Sequence, residues 1–397
     1  IIMSNWQDME KKYLFTNTVR WTILPVKGKG SYLWDENGRK YLDLVGGWAV
    51  CCLGHSHPVM TKALSEQSKI LVQCGPQSCN IPQLHLAELL VKISCCNRVF
   101  FANSGAEANE GAVKLARRYG KLKLNGAYTT ITAYNSFHGR TLAMTAATGQ
   151  AHYQDAYQPL PAGFINVPFN DIEAIKNATN KDTCAVMVEP VQGEGGVNIP
   201  DEGYLKAVRQ WCDEKGILLI LDEVQTGVGR IGTMFGYQQF GIEPDIMTLA
   251  KGLGGGIPIG AFLAKEKCAV FVPGDHGSTY GSNPLMCATS LAVMEYIIKN
   301  DIPAKAQKTG LYLIDGLVKL KNKYPFITDV RGRGLLAAIE FNKDISQSVM
   351  AACVENGMMV NNVKPNAVRI MPPLTISNNE IDEALAIFDK VFAGVKV

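Results

Sequence analysis

Ile217-Leu218-Leu219-Ile220-Leu221 contains no polar residue and ends directly on Asp222-Glu223. Five apolar residues in a row leave no face for water. Such a run reads as a strand covered on both faces, the kind that parallel sheets contain. Before it, Glu202–Lys215 reads as a helix stopped by Gly216. The alternation repeats on both sides. Upstream, Ala185–Val188 is a short apolar run ending at Glu189-Pro190, and Tyr128–Ala133 is β-rich. Val99–Ala102 runs into Asn103-Ser104-Gly105 and a helical pattern from Ala106 to Tyr119. Downstream, Asp245–Ala250 ends at Lys251, and Pro258–Ala264 follows. Strands alternating with helices predict an α/β fold with a mostly parallel sheet between helical layers. Ser104, Glu189, Asp222 and Lys251 all fall at C-terminal ends of these strands. In open α/β sheets that edge binds ligands.

The two ends of the chain read differently. Strand-like Tyr32–Asp35 and Tyr41–Leu44 flank the turn Glu36-Asn37-Gly38. Beyond about residue 300 a helix precedes strand-like Leu335–Phe341, Met358–Asn361 and Val368–Met371. A last helix is capped at Ser377-Asn378 and carries Ile381, Leu385, Ile387 and Phe388 at apolar spacing. The expected organisation is a large central domain over 51–290 and a smaller α+β domain built from 1–50 and 291–397.

The 397 residues carry 39 basic and 36 acidic side chains, a net charge of +3. That balance, with no Lys/Arg block, argues against a nucleic-acid partner. The longest apolar runs fall far short of the ~20 residues that cross a bilayer. No charged segment followed by an apolar one opens the chain, so no secretory leader and a cytoplasmic location are expected. Eleven cysteines, an odd number with no C-x-x-C, are expected as reduced and mostly buried thiols, with no zinc site. His55-Ser56-His57 followed by Pro58 reads as a capped loop rather than a pair of metal ligands.

Ser104-x-x-Glu107 matches a capping box. Gly105 at the start of the same helix also exposes backbone N–H groups that suit a phosphate. Taken alone, the segment fits a plain cap or an anion site. Gly252–Gly256 is no P-loop, because its lysine precedes the glycines. Lys251 is the most informative residue. It ends an apolar run at the ligand edge of the sheet, where desolvation lowers a lysine pKa and frees a nucleophilic amine. Asp222 ends a neighbouring buried strand. A lysine for an aldehyde, a helix N-terminus for a phosphate and an aspartate for a ring nitrogen are together what pyridoxal phosphate needs.

From about Val26 to Val397 the chain resembles the class III, fold-type I pyridoxal-phosphate aminotransferases. The resemblance rests on Tyr32–Asp35, Leu53–Pro58, Asn103–Glu110, Phe137–Thr141, Glu189–Gly196, Leu221–Gly227, Leu249–Gly256 and Ser278–Asn283, in the family's order and spacing. The branch most similar is that of the acetylornithine aminotransferases. The resemblance implies a fold-type I architecture. It implies that Lys251 bonds the cofactor and shuttles the proton, and that Asp222 pairs with the ring nitrogen. Phe137 and Val224 would cover the ring faces and Gln225 would reach the ring hydroxyl. Ser104, Gly105 and Ala106 would hold the phosphate with Thr279 from the other subunit of a homodimer. Glu189 and His138 would lie at the cofactor, and the particular roles of His138 and Arg230 stay open. Arg140 would bind a substrate carboxylate, and Glu194 and Arg369 would pair at the substrate mouth. No metal is implied. Arg331 and Arg333 read as surface charges.

The implied reaction moves the terminal amino group of N-acetylornithine to 2-oxoglutarate, a step of arginine biosynthesis. Ornithine, succinylornithine, 4-aminobutyrate or an amine are alternative donors. A same-fold isomerase or decarboxylase, and a cofactor-binding protein without catalysis, are the readings from other classes. Two segments depart from the branch, Cys74–Cys79 and Asn17–Trp21. Both are expected to line the substrate entrance.

Overall fold

The computed structural model describes residues 6–395. At its centre is a seven-stranded sheet. Its spatial order is Arg98–Ala102, Gly260–Ala264, Ile246–Leu249, Leu218–Asp222, Thr183–Val188, Thr129–Ala133 and Phe164–Val167. Every neighbouring pair is parallel except those of Gly260–Ala264, which runs against both its neighbours. The Leu218–Asp222 strand lies in the middle, and all five of its residues are buried. Parallel strands buried on both faces need no polar side, which is why that run reads so plainly. Phe164–Val167 is the edge strand that the sequence pattern misses. It is only four residues long, and its Asn166 breaks the apolar run while donating to Thr132 Oγ1 at 2.6 Å.

Because the other six strands share one direction, their C-terminal ends meet at one edge. The helix Gly105–Lys123 starts there, capped by Ser104 Oγ, which accepts from the Glu107 N–H at 3.2 Å. The expected capping box is only half formed. The Glu107 carboxylate reaches one residue further back and accepts from the Asn103 N–H at 2.6 Å.

Two four-stranded sheets flank the large one. The first joins Pro25–Lys29, Tyr32–Asp35 and Lys40–Asp43 to Met358–Met359. Its last pair is parallel, with Met358 opposite Leu42 and Met359 opposite Asp43. The second runs Ile327–Arg333, Leu336–Phe341, Ala367–Ile370, Asn361–Lys364. Both ends of the chain therefore build one sheet. The closing helix Asn378–Ala393 has a full capping box between Ser377 and Glu380. Arg331 is not a surface charge. It donates to the carbonyls of Gly196 and Val197 and pairs with Asp329 at 2.7 Å and Glu340 at 2.8 Å. Arg333 stays exposed, as expected.

All eleven cysteines are free, and seven are buried. No group of three or more His, Cys, Asp or Glu residues suited to a metal occurs among the described residues. No helix there is long and apolar enough to cross a membrane. His57 caps the helix Pro58–Gln67, and His55 pairs with Asp43 at 2.7 Å.

Leu219 is fully buried in the main core. Leu219→Ala leaves a cavity inside the central strand and should lower stability by ~2–5 kcal/mol, seen as a lower urea midpoint at unchanged slope.

Candidate active site

The strand ends enclose a cavity of about 520 Å³. Lining it are Ser104, Gly105, Ala106, Phe137, His138, Arg140, Glu189, Glu194, Asp222, Val224, Gln225 and Lys251. With one buried exception, Arg369, and one residue elsewhere, Thr279, these are the residues singled out from sequence. Each arrives at the end of a parallel strand, on the loop after it or at the start of the helix that follows.

Asp222 is the last residue of the central strand and only 3% exposed. Its carboxylate is fixed on all sides. Oδ1 accepts from the Val224 N–H at 3.0 Å. Oδ2 accepts from Asn109 Nδ2 at 2.8 Å and meets His138 Nδ1 at 2.7 Å. Burial alone would lower the His138 pKa, but the Asp222 contact outweighs it and the net shift is upward. His138 therefore stands behind Asp222, within the wall of the cavity. Asn109, buried on the Gly105–Lys123 helix, also donates to the His138 carbonyl at 2.7 Å. Sequence reading missed it. Its signal was a single amide on an otherwise small and apolar helix face.

Lys251 follows the Ile246–Leu249 strand with φ of +37°, a left-handed conformation uncommon for a side-chain-bearing residue. Burial pushes its amine below the ordinary lysine range, and the Arg369 charge adds to this against Glu194, Asp222 and Glu189. Glu189 is raised to about 7, chiefly by burial. Its oxygens accept from the N–H groups of Phe137 at 3.0 Å and Gly193 at 3.2 Å.

Arg369 has no exposure to solvent. Its Nη1 donates to Glu194 Oε2 at 2.6 Å and to Gln225 Oε1 at 3.3 Å, and its Nε reaches Asn361 Oδ1 at 3.4 Å. Nη2 is buried without a partner. Burial raises the Glu194 pKa, but the cations of Arg369 and Lys251 hold it below the usual carboxylate range. Arg140 is exposed at the mouth, its guanidinium 4.0 Å from the Tyr153 ring centroid and 5.3 Å from that of Phe137. It forms no ion pair among the described residues.

Thr279 lies apart. It is exposed and lines a separate cleft with Asn103, Glu107, His276 and Tyr280. The two departing segments do not line the cavity either. The Cys74–Cys79 loop is tied to the 279–282 stretch by Gln73 on the Thr279 carbonyl and Asn80 on the Ser282 carbonyl. Thr18–Trp21 lines a different groove, where Trp21 packs on Trp48 with ring centroids 5.8 Å apart.

The residues fit an aromatic aldehyde phosphate. A depressed lysine amine faces the cavity, and a buried carboxylate stands across from it. Phe137 and Val224 both line the same cavity. Gly105 keeps the helix N-terminus open, because a Cβ there would lie 2.8 Å from Val224 Cγ1. Fold and site thus define an enzyme that uses pyridoxal phosphate. The class-III aminotransferase family model matches residues 15–392, and the chain belongs to that family. It is 48% identical to the acetylornithine aminotransferase of Caldanaerobacter subterraneus subsp. tengcongensis, over 98% of this chain and 99% of that one. It is 47% identical to that of Methanocaldococcus jannaschii, over 99% of each. Among solved structures, the ornithine aminotransferase of Toxoplasma gondii, with partial occupancy of PLP at its active site, superposes with a TM-score of 0.94. That pair is 32% identical over 98% of this chain and 94% of the other.

Glu223, next to Asp222, points away from the cavity and accepts from the N–H groups of Gly236 and Tyr237. Burial raises its pKa to about 8. The folded protein then keeps a proton that the unfolded chain has lost, so this group makes stability fall as pH rises from about 4.5 to 8. Glu223→Gln keeps one acceptor and should remove that part of the slope in unfolding measurements across this range.

Proposed function

We propose that this aminotransferase transfers the terminal amino group of N-acetylornithine to 2-oxoglutarate, giving N-acetylglutamate semialdehyde and glutamate within arginine biosynthesis. The observation that carries the reading is the buried Arg369 held by Glu194 beside Lys251. Relatives at 44–48% identity that are named acetylornithine aminotransferases support the choice of donor. We take 51–290 as the cofactor-binding domain, and 1–50 with 291–397 as the smaller one. The location we propose is the cytoplasm.

Held by Lys251, pyridoxal phosphate would supply a carbonyl-derived carbon on which the incoming amine replaces the lysine amine, and a ring that draws electrons from the reacting carbon. Asp222, its charge fixed by Asn109, His138 and the Val224 N–H, keeps a proton on the ring nitrogen. Phe137 and Val224 hold the ring plane, and Gln225 reaches its hydroxyl. Ser104, Gly105 and Ala106 present N–H groups to the phosphate, joined by Thr279 of the partner subunit. Once freed by the incoming amine, Lys251 Nζ takes the proton from the donor's reacting carbon and later returns one to the acceptor. Glu189 borders the ring edge.

One pocket must accept two unlike substrates. The donor reacts at a carbon with no adjacent carboxylate, whereas 2-oxoglutarate reacts beside one. A bare Arg369 would favour α-amino donors. The Glu194 pair hides that charge while Arg140 takes the donor's remote carboxylate. For the acceptor, Glu194 moves off and Arg369 takes the α-carboxylate, its unpartnered Nη2 allowing a two-pronged grip. Discrimination comes from the competing Glu194 contact.

Single-turnover rates for each half-reaction test this. Glu194→Ala should keep the cofactor, speed reaction with glutamate and reduce preference for the ω-amine. An unchanged ratio would mean that the pair is a static one. A panel of donors scored by glutamate formed decides between N-acetylornithine and the alternatives.

The position of Thr279, exposed and outside its own cavity, supports a homodimer with shared sites. Thr279→Ala should weaken cofactor retention by ~1.5–3 kcal/mol, and added cofactor should shift sedimentation toward the dimer. A fully active monomer would exclude shared sites.

A further inference from the structure

If Glu194 leaves Arg369, its carboxylate needs another place to rest. A second cavity, which Lys251 does not line, shares Glu194 as part of its wall. Polar side chains of Asn135, Gln150, His152, Asp344 and Lys364 form part of its lining. Glu194 already faces it in part, its side chain being 22% exposed.

Lys364 lines that cavity together with Glu194. Its Cε and Nζ lie 2.7 and 3.0 Å from where a Cβ on Gly196 would stand, two residues beyond Glu194. Gly196 has φ of +117°, so this close approach and the backbone turn both call for glycine. Lys364 forms no ion pair among the described residues, and neither does Asp344, the exposed acid of the same cavity. Its backbone is fixed, because its carbonyl accepts from Ser346 Oγ at 2.7 Å. It also sits on the same hairpin as Arg369. Asn361–Lys364 and Ala367–Ile370 pair antiparallel, with Lys364 opposite Ala367 and Asn361 opposite Arg369. One hairpin thus carries both Arg369 and Lys364.

We propose that Lys364 is a positioning residue that receives the Glu194 carboxylate when Arg369 engages the keto acid. This rests on the two-state role of Glu194 proposed above. Lys364 lowers the free energy of the open arrangement without touching substrate or cofactor. A half-exposed ion pair of this kind changes an equilibrium by roughly two- to fivefold.

The test is a double-mutant cycle on the holoenzyme. Lys364→Met should lower kcat/KM of the 2-oxoglutarate half-reaction by roughly two- to fivefold, mainly through KM. The ω-amine half-reaction and the cofactor absorbance should not change. In the Glu194→Ala background the same Lys364→Met change should have no effect, and Lys364→Arg should restore most of the loss. An equal loss in both half-reactions, an undiminished loss without Glu194, or no loss at all would each overturn the inference. If Glu194→Ala itself leaves the substrate ratio unchanged, the two-state reading fails. If Glu194→Ala shifts the ratio and Lys364→Met does not, the role of Lys364 alone fails.

Discussion

A carboxylate buried inside a protein constrains everything around it. Asp222 is 3% exposed, and its two oxygens meet an amide N–H, an asparagine amide and an imidazole. Moving such a group out of water is costly unless hydrogen bonds replace hydration. Each replacement comes from a different part of the sheet edge. Val224 is on the turn after the central strand, Asn109 on the helix after the first, and His138 on the loop after Thr129–Ala133. The charge thereby fixes the relative position of three connections. The parallel direction of six strands is what lets those connections meet.

Arg369 poses the converse problem from the other side of the cavity. It is a fully buried cation on the Ala367–Ile370 strand of a flanking sheet. Losing one partner of a buried pair is far more costly than losing a surface one. In the switch proposed above, Glu194 would therefore leave only as another anion arrives, and the keto acid's carboxylate would be such an anion. The neighbouring Gln225 and Asn361 contacts are too long and too neutral to substitute for a charge.

Those parts of the molecule that burial dictates were plain in the sequence. Ile217–Leu221 announced a central strand because nothing polar interrupts it. Ser104, Asp222 and Lys251 stood out because polar residues at strand ends have a single edge to share. What depends on long-range partners was hidden. Asn109 looks like any helix amide until Asp222 is placed opposite it, and Arg331 looks like a surface charge until the Gly196 carbonyl comes to it. The Phe164–Val167 strand is short and interrupted by Asn166. The Glu107 carboxylate chose Asn103 over Ser104 because that N–H lay equally open. Val224, Gln225, Glu194 and Arg369 entered through family resemblance, since no spacing rule joins residues so far apart in the chain.

The parallel pairing of Met358–Met359 with Leu42–Asp43 has a consequence for biosynthesis. The early strand acquires its last neighbour only after more than 300 further residues have been made. At ~5–20 residues per second, the nascent chain spends on the order of 15–60 s with that edge open. An unpaired strand edge invites pairing with the wrong chain. The large sheet, by contrast, draws on residues 98–264 alone and is complete well before the ribosome reaches the stop codon. The strands of the large sheet are thus all available for pairing before Met358–Met359 can close the early sheet.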